Sequence, residues 1–419
     1  MKKLVLTLPF LLLANLAFAA GFGLYEFSGR GNAMGGAVLA GEAEPASLAL
    51  NPALITKLPG KQIQGGITVV TASGGVVYNN MDANAERQWW PLPNIFYTQQ
   101  INENWWWGLG AMARFGLSND YADAGWMLPT GTTGASLKHV GVTTFSVQPT
   151  VAYKATDKLS VSLGAEVQYL NFTEKLRFGN KATLADMADL NLNGDSYSLS
   201  GMVAVSYDAN DKLSFGASFR SKNDHHVRGP NKYDYVNPLA VANFVRGGDF
   251  WGDIAFPAQL ALGASWKPTE KLLLEFNWTQ VFWSCFKAIN IYFDNLPGQS
   301  GGGEGMLGNA TANGKKYHDV FRVGLGAEYT LTDAVKLRGS FIFDKSPLNH
   351  SYMDAMLPVD DRYIFGAGAG FKLSENTVLD LSYNLLFATS LDGVSGAGLP
   401  VHYKSATSHL MGLSVRYKF

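Results

Sequence analysis

The sequence predicts an all-β fold, namely a transmembrane antiparallel β-barrel of about 14 strands with an N-terminal hatch (plug) inside the lumen. Three observations lead to this prediction. Charged residues make up only 16% of the 419 residues, whereas aromatic residues reach 13% and glycine occurs 46 times. Segments with a period-two alternation of apolar and polar residues recur from residue 61 onward. Short polar turns alternate with long connections, which is typical of membrane barrels.

The first residues have the pattern of a secretory signal peptide. Lys2 and Lys3 form a positive start, residues 4–13 are apolar, and residues 17–19 (Ala-Phe-Ala) supply the small-x-small cleavage pattern. We therefore predict cleavage after Ala19. An uncleaved anchor helix is the alternative, but the apolar stretch is short for a membrane span.

Residues 20–60 do not fit the strand pattern. They are rich in Ala, Gly and Leu, too polar to cross lipid, and contain Asn51-Pro52-Ala53. An Asn side chain can bond neighbouring backbone and stabilise a tight bend. We predict that this segment plugs the lumen, with a periplasmic extension as the alternative. The predicted domains are thus a signal peptide at 1–19, a hatch at 20–60 and a transmembrane β-barrel at 61–419.

The alternation is clearest towards the carboxy-terminus. In residues 321–329 the odd positions are apolar and the even positions are charged or Gly, and residues 335–344, 363–371 and 379–387 repeat the pattern. Only a closed barrel satisfies the strand backbone in hydrocarbon, so the apolar side is predicted to face lipid. Several charged residues then face the lumen, where they either hold the hatch or line an aqueous pore: Arg322, Glu328, Arg338, Arg362 and Asp380.

Connections of two lengths separate the predicted strands. The short polar turns fall at residues 102–104, 156–158, 210–212, 269–271, 332–334 and 374–376. The longer connections fall at about residues 72–91, 118–137, 179–192, 223–257, 294–316, 346–359 and 391–402. This asymmetry predicts periplasmic turns and extracellular loops.

Motifs in a defined order carry a family resemblance. They lie at residues 20–28, 51–55, 283–286, 319–326, 343–347 and 358–362. In this order they resemble segments of the FadL family of outer-membrane transporters for fatty acids and hydrocarbons. The resemblance runs from Ala20 to Phe419 and is firmest at both ends.

The resemblance implies a function and a location. It implies transport of long-chain fatty acids or similar hydrophobic molecules, by capture in an extracellular apolar groove, hatch movement and lateral release through an opening in the wall. The location implied is the outer membrane of a Gram-negative bacterium, as a multi-pass protein among outer-membrane lipids and lipopolysaccharide. The barrel-assembly machinery is the partner expected during biogenesis.

The resemblance also implies where the transport path is controlled. Control of the hatch is expected at Asn51, Pro52 and Ala53. The lateral opening is expected where the third strand kinks, in residues 114–118, with Gly116 as the candidate. Glycine permits a bend and leaves out the side chain that would close the gap. A glycine that simply packs inside a narrow lumen is the alternative.

Ligand contacts are expected at apolar and at basic positions. Alternation points Leu170, Phe172, Leu176 and Phe178 into the barrel, and the resemblance adds Phe22 at the mature start. For a carboxylate, the resemblance implies Arg177 and either Lys315 or Lys316. Arg177 has the parity of lipid-facing residues, so it points inward only with a bulge or otherwise lies above the membrane. Surface positions for these basic residues are the alternative.

Other functions find less support in the residues. An outer-membrane hydrolase would need an acid near His225-His226 or Ser408-His409, and none occurs at a recognisable spacing. We therefore predict no enzyme and no cofactor. The net charge of −1 without charge runs does not indicate nucleic acid, and the single Cys285 offers neither a disulfide nor metal-ligand spacing. A general aqueous porin, and uptake of monoaromatic hydrocarbons by the same route, remain alternatives.

Overall fold

Fourteen antiparallel strands form a closed barrel, as the alternation predicted. Closure is direct, because β1 pairs with β2 on one side and with β14 on the other. The strands are β1 Lys61–Ser73, β2 Trp89–Gln100, β3 Trp105–Met112 with Gly116–Asp120, β4 Thr133–Lys154, β5 Leu159–Asn180, β6 Ala185–Asn210, β7 Leu213–Arg220 with Asn223–Val236, β8 Gly248–Phe256 with Gln259–Trp266, β9 Leu272–Val281 with Asn290–Phe293, β10 Val320–Thr332, β11 Val335–Asp344, β12 Arg362–Lys372, β13 Thr377–Ala388 and β14 Ala406–Lys418.

The computed structural model describes residues 21–121, 128–130, 133–180, 185–238, 247–293, 303–304, 314–358 and 360–419. The predicted signal peptide at 1–19 lies outside these residues. Over the described ranges, no helix has both the length and the apolar character needed to cross a membrane.

Alternation along each strand places apolar side chains on the outer face. In β10, Phe321, Leu325 and Tyr329 are exposed, whereas Arg322 and Glu328 between them are buried. Exposed apolar residues on a closed barrel match the lipid-facing surface of an outer-membrane protein. The predicted orientation of these strands is therefore confirmed.

The two ends of the barrel differ, and one prediction about them needs correction. The six short turns lie where predicted and define the turn end. At the opposite end, called the loop end, several predicted loops are strands instead. Residues 223–257 are an example, since the upper parts of β7 and β8 pair from Asn223↔Phe256 to Asn231↔Gly248. Val227, Phe250 and Ile254 are buried there, so apolar alternation continues into these connections.

Smaller elements complete the fold. A four-stranded sheet at the loop end joins Leu391–Val394, Pro400–Tyr403, Gly75–Tyr78 and Met81–Asn84 in that order. Leu128–Thr130 pairs with β4, and Gly303–Glu304 pairs with β9. The helices are α1, Gly29–Ala33, and the 3-10 turns Pro45–Ala49, Pro52–Lys57 and Trp283–Cys285.

Candidate functional site

The N-terminal segment, residues 21–58, is almost entirely buried, and it forms hydrogen bonds with strands all around the barrel. These bonds join Gly29 to Ser414 of β14 (3.0 Å), Asn32 to Thr68 of β1 (2.8 Å), Ala40 to Glu275 of β9 (2.8 Å) and Thr56 to Ser160 of β5 (2.8 Å). Polar groups that leave water need such partners, since an unpaired buried group costs about 1–3 kcal/mol. The segment therefore packs against inward-facing side chains of opposite walls.

Local capping organises the start of this segment. The hydroxyl of Ser28 accepts a hydrogen bond from the N–H of Gly31 (2.8 Å), at the N-terminus of α1, and donates to Glu44 (2.6 Å). The other carboxylate oxygen of Glu44 accepts from the Gln64 amide of β1 (2.8 Å). A short helix without a complete hydrophobic face depends on such contacts for its stability.

Asn51 holds the bend before Pro52 through both ends of its amide. Its oxygen accepts from the N–H of Ala53 (3.1 Å) and caps the turn Pro52–Lys57. Its nitrogen donates to the carbonyl of Leu39 within the segment (2.6 Å) and to the carbonyl of Val205 in β6 (3.0 Å). Asn51 thus connects two parts of the segment and one strand of the barrel.

Glycines on the inner wall make room for the segment. A Cβ atom on Gly216 of β7 would lie 1.9 Å from the carbonyl oxygen of Leu39. A Cβ atom on Gly368 of β12 would lie 2.5 Å from the Cβ of Ala33. Carbon cannot approach so closely, so only glycine allows the segment and the wall to lie in contact.

Ion pairs join the same segment to the far wall. Arg30 of α1 binds Glu328 of β10 (3.1 Å), and Glu328 also binds Arg338 of β11 (2.7 Å), which reaches Asp380 of β13 (2.6 Å). All four side chains are buried. Arg322 and Arg362 share Asp344 in a second cluster. The predicted lumen charges therefore pair with one another and with the segment.

Above the segment, towards the loop end, aromatic rings gather around Phe22. Its ring centroid lies 4.9 Å from Trp283, 5.3 Å from Phe286 and 5.5 Å from Phe256. Phe115 of β3 stacks on Phe256 at 4.3 Å. Aromatic pairs at these distances attract beyond their area burial, and together they form an apolar floor under the loop end.

The apolar residues predicted in β5 belong to the same interior. Leu170, Phe172, Leu176 and Phe178 are all buried in one apolar cluster with Phe22. Phe172 also packs on Phe250 of β8, with ring centroids 6.4 Å apart. The parity of β5 thus brings these four side chains to the inside of the barrel.

The basic residues predicted for a carboxylate separate into two groups. Arg177 lies on the outer face of β5, where its guanidinium binds Asp189 of β6 through two bonds (2.7 and 2.8 Å). No bulge interrupts β5, so parity alone turns this side chain outward. Lys316 is exposed, with its ammonium over the Tyr352 ring (4.3 Å).

Lys315 points the other way and is buried, with a side chain only 3% exposed. Its ammonium binds Asp354 and contacts the sulfur of Met356 (3.1 Å). Burial lowers the pKa of Lys315 from 10.5 to about 7, while the nearby charge of Glu174 acts in the opposite direction. Its loop packs on the aromatic floor, since Tyr317 lies 5.0 Å from Phe286.

The barrel wall is interrupted between β2 and β3. These strands pair from Gln100↔Trp106 only as far as Asn94↔Met112. Within the described residues, no pairing joins residues 89–93 of β2 to β3, and two of these five residues are prolines, which lack an N–H. Further up, the N–H of Glu86 reaches the carbonyl of Asp120 (2.9 Å) and bounds the gap.

Gly116 lies at this interruption. At residues 113–115, β3 loses its backbone pairing with β4, keeps hydrogen bonds to the Thr144 hydroxyl of that strand, and bonds to the start of the N-terminal segment. The N–H of Leu24 donates to the carbonyl of Arg114 (2.7 Å), and the N–H of Gly116 donates to the carbonyl of Phe22 (2.8 Å). From Gly116 onward the chain pairs again with β4. The segment, the aromatic floor and the gap in the wall therefore meet at one place.

A match to a family model accompanies this geometry. Residues 10–419 match the family described as outer membrane protein transport protein (OMPP1/FadL/TodX). The chain belongs to this family. It is therefore an outer-membrane protein of a family that transports hydrophobic ligands, and not an enzyme.

Relatives of this FadL/TodX family member are similar over nearly their whole length. The chain is 27% identical to the 47 kDa outer membrane protein of Pasteurella multocida, with 97% of this chain and 96% of that protein covered. It is 21% identical to the long-chain fatty acid transport protein of Salmonella typhi, over 100% and 98%. A crystal structure of a Pseudomonas aeruginosa FadL homologue superposes with a TM-score of 0.81 at 15% identity, over 96% and 100%, which shows the same fold.

The geometry at His225-His226 and at Ser408-His409 does not support hydrolase chemistry in this family member. His225 is buried in β7 and binds Gln168 (3.0 Å), whereas its neighbour His226 is exposed and binds Asp253 (2.8 Å). His409 binds Tyr383 of β13 (2.8 Å). In each pair the adjacent residues face opposite sides of a strand, as strand geometry requires.

Sequence reasoning missed the polar centre of this FadL/TodX family barrel. Arg114, Glu166 and Arg220 are buried together beneath the aromatic floor, although they come from β3, β5 and β7. One signal was present, because Glu166 has the same parity as Leu170 in β5. A carboxylate on the apolar-lined inner face needs a buried cation, but alternation does not tell which strand supplies it.

Proposed function

We propose that this chain carries long-chain fatty acids, or similar hydrophobic molecules with a carboxylate, across the outer membrane. One observation supports this most strongly: among the described lysines only Lys315 is buried, and its ammonium lies against Asp354 at the edge of the apolar interior that contains Phe22. In this proposal the ligand carboxylate binds the Lys315 ammonium in competition with Asp354, and the adjoining apolar side chains suit an alkyl tail.

The ligand contacts in this proposal are Phe22, Leu170, Phe172, Phe178 and Lys315. Arg177 and Lys316 are left out, because they lie on outer surfaces, whereas Lys315 is buried. Each buried methylene contributes about 0.8 kcal/mol, so a long tail that is fully buried would be held too tightly for transport. The site must therefore change during the transport cycle.

The N-terminal segment supplies that change in our proposal. We assign residues 20–60 as the hatch and residues 61–419 as the barrel, with a signal peptide at 1–19 that is removed on export. Movement of the hatch around Asn51, Pro52 and Ala53 disturbs the floor at Phe22, which is built on the same segment. The ligand then leaves sideways at the gap beside Gly116, into the membrane.

Biogenesis follows from the same assignment. The exported chain meets the barrel-assembly machinery, which inserts it among outer-membrane lipids and lipopolysaccharide of a Gram-negative cell. Lipids that contact the protein at the gap would then take up the released ligand.

The buried ion pairs of the segment favour a plugged carrier over an aqueous pore.

Uptake by cells tests the proposal. The full-length chain is expressed in a Gram-negative host that lacks its own fatty acid transporter, and uptake of radiolabelled oleate, toluene and a small hydrophilic sugar is measured. We expect oleate uptake well above that of cells with an empty vector, and no added sugar uptake. Uptake of toluene alone would replace the proposed cargo with a hydrocarbon, and rapid sugar uptake would indicate a porin.

A further inference from the structure

Two arginines from different strands meet at one carbonyl of the hatch. Arg114 lies at the interruption of β3, and Arg220 ends the lower part of β7. Each donates to the carbonyl oxygen of Ala49 at 3.2 Å. Ala49 is the last residue of the turn Pro45–Ala49, and its oxygen accepts from both arginines, while the Arg114 guanidinium also lies over the ring of Phe27 in the hatch (5.5 Å).

The charges at this site do not balance. Glu166 forms an ion pair with Arg220, and its carboxylate oxygen is 3.8 Å from the Nε of Arg114. All three side chains are buried. In the described part of the chain, these ion pairs combine two guanidinium groups with one carboxylate, which leaves one positive charge in excess.

Neutral oxygens share the excess charge. Besides Ala49, they are the amide oxygens of Gln259, 3.3 Å from Arg114, and Gln148, 2.7 Å from Arg220. The Nε of Arg114 is buried and has no hydrogen-bond partner among the described residues. Two buried guanidinium groups that share one carboxylate and otherwise contact neutral groups are incompletely compensated, so an anion would bind here more strongly than a carbonyl does.

The surroundings suit the headgroup of an amphiphile. A cavity of about 20 Å³, the size of one water molecule, lies against Arg114, Arg220 and the segment residues Ala49 and Leu50. Phe115, next to Arg114 in sequence, stacks in the aromatic floor. An anionic group at Arg114 would thus have its tail among the rings and close to the gap in the wall.

We propose that Arg114 and Arg220 form an internal carboxylate site that the Ala49 carbonyl occupies while the hatch is docked. The carboxylate of a cargo molecule takes the place of the Ala49 carbonyl, so arrival of the headgroup loosens the hatch. This inference rests on the proposed transport function and adds that an ionised headgroup, rather than an apolar tail alone, triggers hatch movement. The site lies below Lys315 on the route to the gap.

Hydrogen exchange of the full-length protein in detergent tests this coupling. Exchange of the backbone amides in residues 45–58 is measured without ligand, with oleate and with methyl oleate, which has the same tail but no charge. In the natural protein we expect oleate to raise exchange by about tenfold over methyl oleate, the scale of one charge-assisted hydrogen bond.

Two variants change the site in opposite directions. Arg114→Gln lowers the excess charge, so the oleate-to-methyl oleate ratio should fall towards one. Glu166→Gln raises the excess charge, so the ratio should increase. Arg338→Gln is the matched control, because it removes a buried arginine of the inner wall that does not contact Ala49. It is expected to change exchange without ligand and to keep the ratio.

The outcomes separate this inference from the proposed function. An equal response to oleate and methyl oleate in the natural protein, with both ligands bound, overturns the coupling and leaves transport standing. A ratio that is the same in Glu166→Gln and Arg114→Gln as in the natural protein also overturns it. Failure of both ligands to bind overturns the proposed function itself. Migration of the folded barrel in unheated gels checks each variant.

Discussion

The side-chain nitrogen of Asn51 lies 3.0 Å from the carbonyl oxygen of Val205 and thereby ties the N-terminal segment to strand β6. The same amide bonds Leu39 and Ala53. Asn51→Ala removes all three bonds, and each is worth about 0.5–1.5 kcal/mol. We expect a folded barrel, faster exchange in residues 45–58 and reduced oleate uptake. Uptake at the natural rate in this variant would argue against control at Asn51.

Close contact between Gly216 and the N-terminal segment gives a second prediction. In Gly216→Ala, the new methyl group would lie 1.9 Å from the rigid backbone oxygen of Leu39, so the segment must move away from the wall. We expect a barrel that still inserts in membranes but conducts ions in planar bilayers. Gly201→Ala is the matched control, because its Cβ would meet no atom closer than 3.9 Å. Equal conductance of the two variants would count against a tightly fitting hatch.

A substitution at Arg30 tests how strongly the buried ion pairs hold the N-terminal segment against the wall. Arg30→Met leaves the buried Glu328 without one of its cations, and breaking a buried pair costs about 3–5 kcal/mol. We expect the segment to undock more often, measured as channel openings in planar bilayers. Lys57→Met removes the partly exposed pair with Asp208, worth only about 0.2–1 kcal/mol. Similar opening frequencies in both variants would show that Arg30 does not anchor the segment.

The pKa of Lys315 predicts a pH dependence of binding. Burial lowers this pKa to about 7, so the ammonium is charged below pH 7 and loses its proton above it. A carboxylate prefers the charged form, so oleate affinity should be highest below pH 7 and fall by up to about tenfold per pH unit above it. Lys315→Met should bind oleate weakly with no such trend, measured by equilibrium binding in detergent. A trend that persists in Lys315→Met would assign it to another group.

Gly116 predicts separate effects on binding and on release. Gly116→Trp places a large side chain at the interruption between β2 and β3, where no strand pairing among the described residues closes the wall. We expect lower oleate uptake with little change in oleate affinity. Gly65→Trp is the control, because a Cβ atom there meets nothing within 4 Å. Parallel losses of affinity and uptake would place Gly116 in the binding site rather than at the exit.

Alternation carried much of the information about the barrel. The period of two in residues 321–329 predicted which side chains of β10 face lipid, and β5 showed the same for Leu170 and Phe172. The face of the sheet to which a side chain points depends only on the position of the residue along its own strand, because successive side chains point in opposite directions. The six turns followed from local composition for the same reason. These features need no knowledge of distant contacts.

At the loop end, where apolar alternation continues into the predicted loops, the strand ends predicted from the sequence were wrong. Residues 223–236 extend as part of β7 because they find a partner in β8. A segment without a strong turn signal remains a loop or becomes a strand according to whether a partner is in register beside it. That partner is identified only when the chain has closed into the barrel.

By itself, the sequence determined the lipid-facing and inward-facing sides of the strands and the short turns, since each rests on neighbouring residues. The tertiary structure decided that Lys315 turns inward while Arg177 pairs with Asp189 outside. It also decided that Arg114 and Arg220 meet at the Ala49 carbonyl of the N-terminal segment, with Glu166 beside both arginines. These contacts join residues up to 171 positions apart, and closure of the barrel brings them together through strand register.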